Sequence, residues 1–224
     1  MADYTFDFTI FLRYSGLLAS GLMVTIALSI GASAIGVVLG IGGALLKRSE
    51  TAWLRRAADG YVELFRNTPF IVQLFFFYFG LPSLGLRLEA WQCALLAMSI
   101  NMGAYATEII RAGLDAVPLG QREAAIALGL QKPILFRFVV LPQAIKIVYP
   151  ALCGQVIITT LETAVVSKIA VSDLTDAADI IQADTFRSFE VYFFVGAVYL
   201  TLTIVVRRGL DWIGRTFVRG FGAA

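Results

Sequence analysis

The chain has 224 residues, of which 58% are apolar, 12% aromatic and 15% charged, and its formal net charge at pH 7 is +2. This composition and a mean hydropathy of +0.79 exclude an ordinary soluble domain and indicate a membrane protein with several spans. Because the chain has no histidine, metal sites and proton relays built on histidine are excluded as well.

Apolar runs, taken in chain order, predict five membrane-spanning helices. Residues 17–46 carry no charged side chain, and a helix needs only about 20 residues to cross a bilayer. The other four candidate spans contain a few ionisable groups and cover about residues 60–81, 88–110, 138–161 and 188–206. Since no soluble linker or internal repeat separates them, we expect one all-α membrane domain over residues 1–224.

Small residues recur at every fourth position of the first span. Such a ladder lets a second helix approach closely. It predicts helix packing within the domain or across a subunit interface. The ladder consists of Ala32, Gly36, Gly40 and Ala44.

The basic residues predict the orientation of these spans. Thirteen of the 18 lysines and arginines fall after the first span, in the region from Arg111 to Lys146 around the third loop, or after the fifth span. Loops rich in Lys and Arg stay on the cytoplasmic side. We therefore expect the N-terminal segment, residues 1–15, to lie outside. The loop at about residues 114–138 and the tail at about 207–224 are expected in the cytoplasm.

A short helix is predicted within the third loop. Helix breakers bound a run of about ten residues there, roughly 15 Å long, which cannot cross a bilayer. Ala124, Ala125 and Leu128 are expected on one side of this helix, as a small apolar ridge suited to a groove on a soluble partner. The breakers are Pro118, Gly120, Gly129 and Pro133.

The same loop carries a family pattern. Glu123-Ala124-Ala125 is followed after three residues by Gly129, and after nine more by Val139, one residue and Leu141-Pro142. This spacing resembles the cytoplasmic loop signature of ATP-binding-cassette (ABC) importer permeases, in which Ile is commoner than Val at the position of Val139. The resemblance implies a type I importer permease fold. It also implies a set of residues that couple to an ATPase, which are Glu123, Ala124, Ala125, Leu128, Gly129, Leu141 and Pro142.

Three members of this set have alternative roles. Glu123 could favour the positive N-terminal end of the short helix. Leu141 and Pro142 could define the start of the fourth span without touching a partner.

Three further motifs resemble the polar amino acid branch of these permeases, and the resemblance extends over about residues 15–210. It implies an inner-membrane permease subunit that pairs with a second permease, either another copy of this chain or a sibling. ABC ATPases and an extracytoplasmic solute-binding protein would complete the complex. The substrate would be a polar amino acid or a derivative of one. The motifs are Phe65-Arg66-Asn67-Thr68-Pro69 with Gln73 and Leu74, Tyr105 with Glu108 and Arg111, and Thr185-Phe186 with Phe189-Glu190.

No phosphate-binding loop of the form Gly-x-x-x-x-Gly-Lys-Ser/Thr occurs in the chain. We therefore expect no cofactor on this subunit, with ATP and Mg bound by a partner ATPase, and no catalytic or metal-binding residue. The net charge of +2 is explained by the basic loops and does not favour nucleic acid. The rival classes are a membrane enzyme and a channel that works without partners.

Glu162 is the first candidate for the substrate path, because an ionisable group at membrane depth is costly. Where polar amino acid permeases tend to have Lys-Asp-Thr-Ser, this chain has Leu161, Glu162, Thr163 and Ala164. The carboxylate could bind the α-ammonium or a cationic side chain of an amino acid, with Thr163 beside it. Alternatively, Glu162 pairs with Lys168 or caps a broken helix.

Other polar residues at membrane depth are candidates with alternatives. Gln155 lies seven residues before Glu162, on the same helical side. Its amide argues against a strictly cationic substrate, since a second acid is expected near this position in the cationic branch. Asn101, Tyr105 and Glu108 belong to one stripe of the third span that lines the path or hydrogen-bonds neighbouring helices. Glu108 could instead pair with Arg111, three residues further along the same helix. Asn67 and Thr68 interrupt the second span, as a contact for polar solutes or as a structural kink.

Overall fold

The structure is a computed structural model that describes residues 6–218, with the side chains of residues 6–216. Every regular element in this range is helical, so the expected all-α class is confirmed. The last six residues of the predicted tail and the first five of the outer segment lie outside the described residues. The helices are α1 (Ile10–Arg13), α2 (Ser15–Lys47), α3 (Ala52–Arg66), α4 (Phe70–Ser83), α5 (Ala90–Asp115), α6 (Leu119–Ala127), α7 (Lys132–Ile169), α8 (Leu174–Thr185) and α9 (Ser188–Thr216).

Within the described residues, four helices are long and apolar enough to cross a membrane: α2, α5, α7 and α9. The second predicted span, about residues 60–81, is divided instead between α3 and the shorter apolar helix α4. The chain breaks at Asn67–Pro69 because proline lacks a main-chain N–H and disfavours helical geometry at the residue before it.

The core of the fold is the contact between α2 and α5. A methyl group added at Gly36 would lie 2.3 Å from Cγ of Met102, and one added at Gly40 would lie 2.4 Å from Cβ of Ala106. The small-residue ladder of α2 therefore packs inside the chain. Only hydrogen at these positions lets the two helices come this close.

The fourth span is longer than its predicted range of 138–161. α7 begins at Lys132 and widens to a π-helical turn over Phe136–Val140, just before Pro142. A wider turn accommodates the missing N–H of the proline without ending the helix. The loop predicted at about 114–138 is correspondingly shorter.

The fifth span is also longer than expected. α9 continues through Arg207 and Arg208 to Thr216, so the first part of the predicted tail is helical. Both arginines are exposed, and long cationic side chains do not interrupt a helix when their charged ends reach water.

The opposite end of the bundle from α6 is closed by α8. Asp173 caps this helix by accepting a hydrogen bond from the main-chain N–H of Asp176 (2.9 Å) and another from the hydroxyl of Tyr199 (3.1 Å). The N–H of Leu174 donates to Oγ1 of Thr25 on α2 (3.1 Å). Burial raises the pKa of the Asp173 carboxyl. These contacts join α2, α8 and α9.

Candidate functional site

The predicted short helix exists as α6. It follows Pro118, has nine residues, and ends where Gly129 adopts a φ of +77°, a left-handed geometry that glycine accepts without strain. The N–H of Leu130 donates to the carbonyl oxygen of Ala125 (3.1 Å), which closes the C-terminal turn. Gly129 therefore caps the C-terminal end of α6.

The two sides of α6 differ in exposure. Leu128 is 81% exposed and Ile126 is 64% exposed, with Glu123 and Ala124 also open, whereas Ala125 is only 5% exposed. The prediction that Ala125 shares the free ridge with Ala124 and Leu128 is wrong in this respect. Successive helical residues lie about 100° apart, and α6 rests against the first turns of α7 on the side of Ala125.

Glu123 is the fifth residue of α6 and lies in its second turn. The favourable effect of a helix N-terminus on an acidic side chain is confined to the first turn. The alternative in which Glu123 only stabilises the start of its own helix therefore loses its basis. Its exposed position on α6 remains compatible with contact to a partner.

Two polar contacts attach α6 to the long helices. The guanidinium of Arg122 donates to the main-chain carbonyl of Leu114 on α5. The side-chain amide of Gln143 on α7 donates to the side chain of Gln121 and to the carbonyl of Val139 (2.8 Å). These contacts connect α6 to both α5 and α7.

Leu141 and Pro142 lie inside α7 and are partly buried. Leu141 lines an apolar cavity of about 450 Å³ between α2, α5 and α7, together with Ala144 and Val148. This position supports the structural alternative for the pair, because both residues belong to the body of α7 and not to the free face of α6.

Charged side chains are paired at the α6 end of α2, α3 and α5. Nζ of Lys47 lies 3.0 Å from Oδ1 of Asp59 and also contacts Glu108. Arg111 lies 2.9 Å from Oε2 of Glu108 and 2.9 Å from Oδ2 of Asp115. Glu108 is therefore paired with Lys47 and Arg111, which supports its role as an ion-pair partner within the bundle and not as a contact for the substrate.

The break between α3 and α4 is closed by amide side chains. Nε2 of Gln73 donates to the carbonyl of Phe65 (2.8 Å) and to Oγ1 of Thr68 (2.9 Å). Nδ2 of Asn101, on α5, donates to Oε1 of Gln73 (2.9 Å). Asn101 and Thr68 thus satisfy main-chain and amide groups at the break, which supports the structural reading of both residues.

Tyr105 and Asn67 have different surroundings. Tyr105 is half-buried, and the guanidinium carbon of Arg66 lies 5.3 Å from the centre of its ring. Asn67 is exposed and follows the last residue of α3. The predicted stripe of Asn101, Tyr105 and Glu108 is thus occupied by contacts between helices.

Among the candidate path residues, Glu162, Gln155 and Asn101 each keep one buried polar atom without a hydrogen bond within the described residues, which for Asn101 is Oδ1. Oε2 of Glu162 and Nε2 of Gln155 are both buried, and neither forms a hydrogen bond within the described residues. The ion pair with Lys168 does not form, because Nζ of Lys168 lies 3.0 Å from Oδ2 of Asp179 on α8. The two unpartnered groups lie two helical turns apart on one side of α7.

Thr163 is fully buried and faces away from this pair. Its hydroxyl donates to the carbonyl of Thr160 (2.7 Å) and lies 3.5 Å from the hydroxyl of Tyr199 on α9. The Thr163 hydroxyl is thus used within the bundle, and a contact between Thr163 and the substrate stays a prediction.

Several polar contacts were not anticipated from the sequence. Ser29 on α2 lies 2.5 Å from Thr160 on α7, and Thr159 donates to Sδ of Met102 on α5 (3.5 Å). Small hydroxyl residues in apolar spans were the only available signal. Such residues often bond between helices, but their partners are not written in the local sequence.

Comparison with known proteins agrees with this architecture. The model of the family described as binding-protein-dependent transport system inner membrane component matches residues 32–219. The octopine transport system permease protein OccM of Rhizobium meliloti is 36% identical over 200 residues, which are 85% of this chain and 82% of OccM. The arginine transport system permease protein ArtQ of Bacillus subtilis is 35% identical over 214 residues, 95% of this chain and 96% of ArtQ.

A solved structure extends the likeness to three dimensions. A crystal structure of an amino acid ABC transporter with histidines contains a chain that is 41% identical, with a TM-score of 0.89. The match covers 96% of this chain and all of the other. The relatives are permease subunits, and ATP hydrolysis belongs to a separate subunit. The chain is therefore a member of the family of inner-membrane components of binding-protein-dependent transport systems, with the type I ABC importer permease fold.

Proposed function

We propose that this permease subunit moves a polar amino acid or amino acid derivative into the cell, driven by an ATPase that docks on α6. The observation that carries the proposal is the geometry of α6. It stands outside the bundle with Glu123, Ala124 and Leu128 open, yet it is bonded to α5 through Arg122. An exposed short helix tied to long helices can transmit motion from a soluble partner.

Fewer residues contact the ATPase directly than the sequence pattern implies. Glu123, Ala124 and Leu128 supply the surface for the ATPase. Ala125 packs the helix against the bundle, and Gly129 allows the chain to turn back toward the membrane. Leu141 and Pro142 act through the shape of α7.

The orientation follows from the distribution of basic residues. We place α6 and the end of α9 in the cytoplasm of the inner membrane, and α8 on the outer side. α6 then meets the cytoplasmic ATPase, which holds ATP and Mg. α8 faces a solute-binding protein, and a second permease subunit, of this chain or a sibling, completes the path.

Glu162 and Gln155 form the proposed contact with the substrate. A buried carboxylate without a partner is costly, and an ammonium group that enters beside it removes this cost. Gln155 can accept or donate a hydrogen bond two turns closer to the cytoplasm. This pair fits the amino acid head group and leaves the side chain of the substrate open.

The substrate class is supported by the names of the relatives. OccM is named for octopine and ArtQ for arginine, both of which carry an amino acid head group. With an amide at Gln155, we propose a polar amino acid or derivative that need not be cationic.

Transport requires two arrangements of the paired permeases. Nucleotide binding must favour one arrangement over the other, because a ligand with equal affinity for both shifts nothing. Closure of two ATPases would bring the paired α6 helices together and tilt α5 and α7, which opens the path on one side and closes it on the other.

Reconstitution tests this proposal. The chain, a sibling permease if its operon encodes one, the neighbouring ATPase and the neighbouring solute-binding protein are placed in proteoliposomes. ATP hydrolysis and uptake of labelled arginine, glutamine, histidine and octopine are then measured. Stimulation of both activities by one compound is the expected result. An inserted permease that binds no ATPase would contradict the proposal and favour a channel or an enzyme.

A further inference from the structure

α3 carries polar side chains along one face. Arg56, Gly60, Glu63 and Asn67 follow one another at spacings of four, three and four residues, and all are exposed. We call these four residues the polar stripe. The opposite face of α3 packs into the bundle, where Ala58 and Val62 are each 4% exposed.

Contacts with α5 and α2 define the depth of α3. The hydroxyl of Tyr61 donates to the carbonyl of Ile100 (2.6 Å), at the middle of the 26-residue helix α5. Asp59 pairs with Lys47, the last residue of α2. α3 therefore runs from the α6 end of the bundle to the middle of the membrane, and Glu63 lies at membrane depth.

The carboxylate of Glu63 has no hydrogen bond or ion pair within the part of the chain that the structure describes, and neither has the guanidinium of Arg56. Charged groups at this depth are strongly disfavoured against hydrocarbon and face protein or a water-filled cavity. The polar stripe is therefore turned toward water or toward the second permease subunit, and not toward lipid.

An apolar sector lies next to the polar stripe. Trp53, Ala57 and Leu64 are exposed on the neighbouring side of α3, which suits contact with lipid. The change from apolar to polar occurs between Leu64 and Glu63, one residue apart. α3 thus has a packed side, a lipid-compatible side and a polar side.

The end of α3 places a basic side chain near Glu63. The helix ends at Arg66, and this cation offsets the partial negative charge of the helix C-terminus. The guanidinium of Arg66 lies over the ring of Tyr105, on α5. A half-helix that ends at mid-membrane with a free carboxylate is suited to a cationic group.

We propose that the polar stripe lines the cytoplasmic half of the substrate path, and that Glu63 contacts the ammonium group of the substrate there, as a step separate from Glu162. Thr159 of α7 lies level with Met102, and Glu162 lies one turn further from α6. A substrate released from Glu162 toward the cytoplasm would meet Glu63 next. This inference rests on the proposed function for the identity of the substrate.

Thiol chemistry tests the inference without relying on transport. Cys93 and Cys153 are both replaced by alanine, and Gly60→Cys introduces one thiol on the polar stripe. A Cβ atom at position 60 would meet no atom within 4 Å, so the cysteine fits. Reaction rates with a cationic and an anionic methanethiosulfonate reagent are measured in proteoliposomes, with and without Glu63→Gln. Leu64→Cys is the matched control in the apolar sector.

We expect Gly60→Cys to react with both reagents, since Arg56 and Glu63 lie at similar distances on either side of it. Glu63→Gln should lower the ratio of cationic to anionic rates by roughly fivefold, because a unit charge one helical turn away changes the local potential. Leu64→Cys should react slowly with either reagent. A thiol at position 60 that does not react, or a rate ratio that Glu63→Gln leaves unchanged, would overturn the inference.

Uptake separates this inference from the proposed function. Glu63→Gln should raise the KM for the transported amino acid about tenfold if the lost charge-assisted contact is worth about 1.4 kcal/mol, and Glu63→Asp should restore most of it. If the unmodified complex transports none of the four labelled compounds, the proposed function fails while the thiol rates still report on the stripe. Normal uptake by Glu63→Gln would show that Glu63 does not contact the substrate, and the proposed function would be unaffected.

Discussion

Lys168 is paired with Asp179, with 3.0 Å between Nζ and Oδ2, and is therefore not the partner of Glu162. The pair joins the C-terminal end of α7 to α8. Glu162 keeps a buried carboxylate oxygen without a hydrogen bond among the described residues. Lys168 therefore belongs to a surface ion pair, and Glu162 stays a candidate contact for the substrate.

Glu162→Gln should raise the KM for uptake by roughly tenfold or more, because a hydrogen bond to a charged group contributes about 1.5–3 kcal/mol. Uptake at graded substrate concentrations measures it. Lys168→Gln is the matched control and should leave the KM within about twofold, since an exposed ion pair contributes only about 0–1 kcal/mol. Equal effects of the two substitutions would indicate that Glu162 and Lys168 act together.

Glu123→Arg should uncouple ATP hydrolysis from uptake while the protein still inserts in the membrane. The substitution reverses a charge on the exposed side of α6 and leaves the bond from Arg122 to Leu114 in place. Uptake per ATP hydrolysed should fall several-fold in proteoliposomes. Glu50→Arg makes the same charge change at an exposed position before α3 and should have little effect. Normal coupling in Glu123→Arg would exclude contact between Glu123 and the ATPase.

Gly40→Ala should lower the melting temperature of the detergent-solubilised protein by several degrees. The added methyl group would lie 2.4 Å from Cβ of Ala106, and overpacking of this kind costs about 1–3 kcal/mol. Gly42→Ala adds the same group two residues away, where no atom lies within 4 Å, and should leave the melting temperature unchanged or slightly higher. Similar melting temperatures for both variants would mean that α2 and α5 are not in close contact.

Asn101→Leu should reduce stability more than it changes transport. The substitution removes the donor to Oε1 of Gln73, and a buried acceptor left without a partner costs about 1–3 kcal/mol. Thermal unfolding of the purified protein and the KM for uptake are compared. Asn67→Ala, at the exposed position beside the same break, should leave the melting temperature unchanged. A raised KM with normal stability in Asn101→Leu would return Asn101 to the substrate path.

Features with a local cause could be predicted from the sequence. The apolar run of residues 17–46 predicted α2, and the glycine and proline residues around the third loop predicted α6. The spacing from Glu123 to Pro142 identified the permease family, which the comparison with known proteins confirms. Hydropathy, helix breakers and motif spacing act over a few residues, so they can be read without knowing the fold.

The roles of individual polar residues could not be predicted in the same way. The stripe of Asn101, Tyr105 and Glu108 was identified correctly as one helical face. In the structure, Asn101 donates a hydrogen bond to Gln73, and the ring of Tyr105 lies beside the guanidinium of Arg66. Glu108 forms ion pairs with Lys47 and Arg111. Each partner lies on another helix or in another turn, and the helical periodicity of the sequence does not identify it.

The sequence by itself determined that this chain is a helical membrane permease with a short helix between two spans. Only the tertiary structure decided that Ala125 faces the bundle, that Lys168 is unavailable to Glu162, and that Tyr61 of α3 reaches the middle of α5. The physical reason is that hydrophobicity and backbone preference are properties of neighbouring residues. Burial, charge pairing and hydrogen bonding depend on residues that meet only after folding. Ser29 and Thr160, for example, form a hydrogen bond although they are 131 residues apart in the chain.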